Sequence, residues 1–184
     1  MKKEDNLNKE QPDVLENQQC PMCSKDTLTL TESERDIPYF GKVYLFSMTC
    51  SNCKYHKADL ETAEENEPSK YEITINSEQD MNIRVIKSSN ATVKIGRIMS
   101  IEPGVASIGF ITNIEGLLKR AKHAIETAKE YSEDKDEKKK AKNHLKKLQK
   151  ILWGQDEIKI TLDDPTGNSA IVSEKAKITK SKKK

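Results

Sequence analysis

The sequence predicts a mainly β protein interrupted by a helical hairpin, arranged as a small N-terminal ribbon followed by a larger β-sandwich or barrel domain. Three observations carry this reading. The cysteines occur as two C-x2-C hooks, Cys20-Pro21-Met22-Cys23 and Cys50-Ser51-Asn52-Cys53, with residues 24–49 between them. Downstream, short runs rich in β-branched residues recur between turn signals. Between those runs lie two long segments whose apolar residues repeat with helical period.

The hooks come first in the chain and carry the clearest chemistry. A C-x2-C turn sets two thiolates on one side of a tight knuckle, and two facing knuckles supply the four soft ligands of tetrahedral Zn²⁺, Cys20, Cys23, Cys50 and Cys53. Paired disulfides would need an oxidising compartment, yet residues 1–19 are polar and charged with no apolar stretch like a signal peptide. A redox C-x2-C opens a helix, whereas the residues after Cys23 read as strand. With thiolates in all four positions, one structural ion is expected, shaping the chain and leaving no position open to activate water.

Composition limits the rest. Of 184 residues, 34% are hydrophobic and 34% charged, and mean hydropathy is −0.80. A thin core follows, and a ribbon of this size buries too little apolar surface to fold without its metal. No apolar run is long enough to span a membrane, so a soluble, cytoplasmic protein is expected. The net charge of +2, from 32 basic and 30 acidic residues, argues against a chain built as a whole to grip phosphates. Lysines cluster locally, from Lys138 to Lys150 and from Lys175 to Lys184, while the arginines are Arg35, Arg84, Arg97 and Arg120. Base-specific recognition, which leans on arginine, is not expected.

Along the chain, residues 1–19 lack periodicity and are expected to form a mobile arm. The ribbon spans 20–62, with strands over Thr27–Thr31 and Val43–Cys50 that return to close the metal site. Between them, Ile37-Pro38-Tyr39-Phe40-Gly41 is an apolar and aromatic patch broken by proline and glycine. Two readings stand for it: packing under the ribbon or the next domain, or an exposed anchor for a partner. Residues 63–70 read as a linker. Strand signals follow at Tyr71–Ile75, Asn82–Ile86, Thr92–Ile95, Met99–Ile101 and Ser107–Thr112.

Asn113 is placed to cap a first helix with Leu117, Leu118, Ala121, Ala124, Ile125 and Ala128 on one face. A second helix from about Asp136 carries Ala141, Leu145, Leu148, Ile151 and Leu152 on its stripe and stops at Gly154. This hairpin occupies 114–153. Its lysines fall largely off the stripe, which favours a solvated face over a nucleic-acid surface. Strands resume at Ile158–Leu162 and Ala170–Ser173, joined by Asp163-Asp164-Pro165-Thr166-Gly167-Asn168-Ser169. Adjacent carboxylates on an extended chain point apart, so this segment reads as a turn in preference to an acid-base pair or cation site.

Taken in order, the hooks, Ile37-Pro38-Tyr39-Phe40-Gly41, Gly116-Leu117-Leu118 after Thr112-Asn113-Ile114-Glu115, and Leu162-Asp163-Asp164-Pro165-Thr166-Gly167-Asn168-Ser169 resemble the ZPR zinc-finger family over residues 20 to about 173. The resemblance implies a zinc ribbon joined to a double-stranded β-helix domain over 71–178, with the hairpin inserted; the basic tail over 179–184 has no counterpart in the family and is assigned no role. The chain is similar to the single-module archaeal members, whereas eukaryotic members carry two modules. Those relatives bind translation elongation factor 1 alpha, a GTPase, and assist its folding. By resemblance, Ile37, Pro38, Tyr39, Phe40 and Gly41, with Asp163, Asp164, Pro165, Gly167, Asn168 and Ser169, are expected to meet such a client. Ser24 and Lys54 follow the hooks where the family commonly has glycine, and a positive φ is expected there.

Three functions compete at this point. A zinc-dependent adaptor or chaperone for the elongation GTPase leads. A nucleic-acid- or ribosome-binding ribbon, drawing on the lysines, is the alternative and predicts steep salt dependence. An enzyme is least favoured: His56, His123 and His144 fit no protease or triad spacing, no glycine-rich phosphate loop occurs, and no turnover is expected.

Overall fold

The computed structural model describes residues 11–38, 40–63, 66–104 and 106–181. The chain divides into two compact units, Met1–Glu64 and Glu65–Lys184.

The first unit is an antiparallel meander of β1 (Asp13–Gln19), β2 (Asp26–Ile37), β3 (Gly41–Cys50) and β4 (His56–Thr62), in that spatial order. The β2–β3 ladder runs without a break from Leu28↔Cys50 to Ile37↔Gly41. Because side chains alternate along it, the buried apolar residues change face between its two ends. Leu28 gathers with Cys20 and Cys50 at the metal end, while Ile37, Val43 and Leu60 occupy the other face toward the tip.

The arm expected over residues 1–19 is corrected here. Asp13–Gln19 form β1 and satisfy the outer edge of β2, with register shifts between Leu15 and Gln19 and Asn17 at φ 57. Every β1 side chain is exposed, so the strand carries none of the alternation by which a half-buried strand is recognised. Residues 1–10 lie outside the described set.

The second unit pairs a five-stranded sheet with a three-stranded one. The first has the order β12 (Lys177–Lys180), β5 (Ser69–Ile75), β10 (Ile158–Asp164), β7 (Thr92–Ile95), β8 (Met99–Ile101); the second is β11 (Ala170–Val172), β6 (Arg84–Lys87), β9 (Phe110–Asn113). Strand β10 shows the governing pattern, with Ile158, Ile160, Leu162 and Asp164 buried and the residues between them turned outward. Inward residues of both sheets, among them Ile73, Val85, Ile160 and Ile171, join the buried stripes of two helices in one core.

Those helices are α1 (Ile114–Tyr131) and α2 (Lys135–Leu152). Asn113 caps α1, its side-chain oxygen accepting from the Gly116 amide at 2.8 Å. α2 ends in a Schellman motif. Gly154 at φ 66 donates to the Ile151 carbonyl at 2.9 Å and Gln155 to that of Lys150 at 2.8 Å. Leu117, Leu118 and Ala121 of α1 and Leu148 and Ile151 of α2 are buried.

Two expected boundaries shift. Ser69 and Lys70, placed in the linker 63–70, already belong to β5, while Glu64 and Glu65 lie outside the described residues. The basic tail expected over 179–184 is strand as far as Lys180. Lys177 pairs with Glu72 and Ile178 with Tyr71 in the ladder, and Lys180 meets Glu67 at 2.6 Å. Pairing with β5 and the Glu67 carboxylate give this segment a place that composition alone hides. Residues 182–184 lie outside the described set.

Candidate metal centre and a buried aspartate loop

The two hooks are built to one plan. In the first, the Cys20 amide donates to the Lys25 carbonyl at 2.9 Å and the Ser24 amide to the Cys20 carbonyl at 2.8 Å. In the second, the Cys50 amide donates to the Tyr55 carbonyl at 2.8 Å and the Lys54 amide to the Cys50 carbonyl at 3.1 Å. Closing each knuckle this way forces the residue after its second cysteine into the left-handed region, with Ser24 at φ 56 and Lys54 at φ 61.

The four sulfurs lie within 4.8 Å of one another. Cys20 Sγ is 3.7 Å from that of Cys53, and Cys23 Sγ is 3.7 Å from that of Cys50. A disulfide needs about 2.0 Å. Tetrahedral zinc with bonds of about 2.3 Å sets its sulfurs about 3.8 Å apart, so the arrangement fits one zinc ion held by four thiolates.

The sulfurs differ in proton affinity. The Thr27 hydroxyl, 3.2 Å from Cys50 Sγ, and then the Cys53 amide at 3.5 Å draw the Cys50 thiol down to about 6. The Lys25 amide likewise lowers Cys23. At Cys53 the Tyr55 amide favours the thiolate, but desolvation and the sulfurs of Cys50, Cys23 and Cys20 push the thiol up to about 12. Thiolates crowded this closely need a divalent cation to displace their last protons. Among the described residues no other three His, Cys, Asp or Glu side chains converge in this way. His56 stands apart on β4, its Nδ1 3.0 Å from the Thr49 hydroxyl.

The apolar patch is the turn joining β2 to β3, where the Phe40 amide donates to the Ile37 carbonyl at 2.9 Å. Ile37 is buried, Phe40 half-buried, and Pro38 and Gly41 exposed. Tyr39 lies outside the described residues.

In the aspartate loop the alternation of β10 separates the two carboxylates. Asp163 turns outward and accepts from the Ser181 hydroxyl. Asp164 turns inward and is fully buried. Its Oδ1 accepts the Thr166 amide at 2.8 Å and the Thr166 hydroxyl at 2.7 Å. Its Oδ2 accepts the Ser169 hydroxyl and, at 2.8 Å, that of Ser88. Ser169 also accepts the Ser88 amide at 2.9 Å. Gly167 sits at φ 76, where an added Cβ would come within 2.7 Å of the Asn66 and Glu67 carbonyl oxygens. Ile37, Asp164, Gly167 and Ser169 are therefore interior residues that shape their segments, and this corrects their expected place on a client-facing surface. Pro38, Gly41 and Pro165 are exposed, and Phe40, Asp163 and Asn168 half-buried. Ser88, which sequence reading passed over, carries no local signal of its role.

Comparison with known proteins matches residues 14–68 to the ZPR1 zinc-finger domain and residues 79–184 to the ZPR1 jelly-roll domain, the jelly roll being the double-stranded β-helix. A ZPR1-like protein of Methanocaldococcus jannaschii is 38% identical over 157 residues, covering 84% of this chain and 79% of that protein. One from Pyrococcus horikoshii is 36% identical over 166 residues, covering 88% and 74%. A Schizosaccharomyces pombe protein named zinc finger chaperone is 33% identical over 145 residues, 73% of this chain and 30% of its own length. The sulfur centre falls within the first matched stretch, and the helical hairpin with the Ser88–Asp164 pair within the second. With similarity running through both units, the chain belongs to the ZPR1 zinc-finger family.

Proposed function

We propose that this protein is a zinc-dependent adaptor and folding chaperone whose client is the translation elongation GTPase of the elongation factor 1 alpha class. The observation that carries the reading is the closed four-sulfur centre at the root of the β2–β3 hairpin. With every ligand a cysteine, the ion's work is to hold the chain in shape, as a binding scaffold requires. The chaperone name of the fission-yeast relative supports a protein client, and the family resemblance supplies its class. In this reading the client is met by Pro38, Tyr39, Phe40 and Gly41 at the hairpin turn and by Asp163, Pro165 and Asn168 of the aspartate loop. The buried Ile37, Asp164, Gly167 and Ser169 keep those segments in form. The site acts by binding, without turnover.

Native mass spectrometry of the protein mixed with its own elongation factor, with and without chelator, tests this. A one-to-one complex that carries zinc and dissociates on chelation is expected. Failure to form a complex in either nucleotide state of the GTPase would reject the client. Binding of ribosomal RNA that weakens steeply with salt would favour a nucleic-acid ribbon instead.

A further inference from the structure

A cleft in the second unit has no part in the proposed function. Its volume is about 630 Å³, within the range that accepts small organic ligands. One wall is the outward face of the larger sheet, where Lys94 stands beside Thr161 in the β7–β10 register and Lys159 lies two residues earlier on β10. A second wall is α2, which presents His144 and Lys147 from one helical face. Arg97, in the turn from β7 to β8, adds a further cation, and the half-buried Ile98 contributes apolar surface next to the buried Ile158.

The charge here is one-sided. Glu157 is the one carboxylate lining the cleft. Glu72, across the ladder from Thr161, already holds Lys159 at 2.8 Å and Lys70 at 2.9 Å, and these two partners draw its pKa down to about 2. Among the described residues Lys94, Arg97 and Lys147 enter no ion pair. Cations converging from two strands, a turn and a helix beside an apolar side chain suit the many oxygens of a phosphate joined to an organic body, and the Arg97 guanidinium can fork onto two of those oxygens.

We propose that this cleft binds a soluble organic phosphate of nucleotide size, its phosphate oxygens held by Lys94, Arg97 and Lys147 and its apolar part laid on Ile98. The site is independent of the client reading, and either can fail without the other.

The test uses the full-length, zinc-loaded protein with ¹³C-labelled isoleucine methyls, titrated at low salt with ADP, pyrophosphate, adenosine and hexaglutamate. ADP is expected to shift the Ile98 and Ile158 methyls and to bind more tightly than pyrophosphate, with adenosine weakest. Lys94→Ala, Arg97→Ala and Lys147→Ala remove exposed side chains and leave the fold intact. Each is expected to weaken ADP about tenfold, the loss of one charge-assisted contact. Glu157→Gln is expected to tighten it. Unmoved methyls at millimolar ADP, or undiminished ADP binding by the triple variant, would overturn the site. Hexaglutamate binding more tightly than ADP would overturn the phosphate assignment and mark a surface for acidic polypeptide.

Discussion

Ser88 and Asp164, 76 residues apart in the chain, are joined hydroxyl to carboxylate at 2.8 Å with both side chains shut away from water. The same carboxylate takes the Thr166 amide and hydroxyl and the Ser169 hydroxyl. One acidic side chain thus shapes the 164–169 loop and fastens it to the end of β6.

Asp164→Ala would leave three hydroxyls and an amide without their acceptor. A loss of about 3 kcal/mol is expected, since a buried group stripped of its partner bears its full desolvation cost. Ser88→Ala removes one donor, and about 1 kcal/mol is expected. Chemical denaturation of the two variants beside the parent measures both.

Gly167 is required by conformation and by space. Gly167→Ala would place a Cβ within 2.7 Å of two carbonyl oxygens at a φ of 76. A loss of about 2 kcal/mol or more is expected. The melting temperature of the jelly-roll unit reports it, while zinc content is expected to stay at one ion per chain.

At the metal knuckles the strain runs the other way. Ser24 occupies the left-handed region at φ 56, which costs a non-glycine residue roughly 1–2 kcal/mol, partly offset in glycine by its greater freedom when unfolded. Ser24→Gly is therefore expected to stabilise the zinc-bound ribbon by about 0.5–1 kcal/mol. Competition with a chromogenic chelator would show tighter zinc retention.

Chelation should divide the molecule. The ribbon's core at the hooks is little more than Leu28 among cysteines, whereas the second unit has an extensive apolar core of its own. Removing zinc is expected to abolish amide protection in residues 13–62 and preserve it in α1, α2 and β10. Hydrogen exchange resolves the two, and loss of protection throughout would contradict this.

Asp80 gives the fold a pH dependence. Burial disfavours its carboxylate, but the Lys175 ammonium at 2.6 Å, the Asn76 amide at 3.1 Å and the Ser77 side chain outweigh that and lower its pKa. A folded pKa below the unfolded value gives stability that is fully present above the ordinary carboxylate value, near 3.9, and lost as pH falls from there through the lowered folded pKa. Asp80→Asn is expected to cost about 2 kcal/mol at pH 7, and the difference should shrink as unfolding is measured at progressively lower pH.

Much of this architecture is legible from spacing. The hooks, the Asn113 cap, the Gly154 stop and the alternation of Ile158, Ile160 and Leu162 each rest on local rules of geometry. The turn expected over 163–169 is shorter, since Asp163 and Asp164 still belong to β10 and the chain turns from Pro165; strand alternation sends Asp163 outward and Asp164 inward. What sequence does not disclose is non-local. β1 has no buried face to advertise it, β12 looks like a lysine tail until it pairs with β5, and Ser88 becomes meaningful only when the fold brings β10 beside it. The cationic cleft is hidden for the same reason, its residues coming from two strands, a turn and a helix.

The unbroken ladder that sets Cys50 opposite Leu28 gives the ion a second task. Sliding β3 by one residue against β2 would turn the Cys50 sulfur to the far side of the sheet, away from Cys20 and Cys23. Only the correctly aligned hairpin can complete the tetrahedron, so zinc capture proofreads strand pairing, and a misaligned ribbon is left without the ligand that would make it persist.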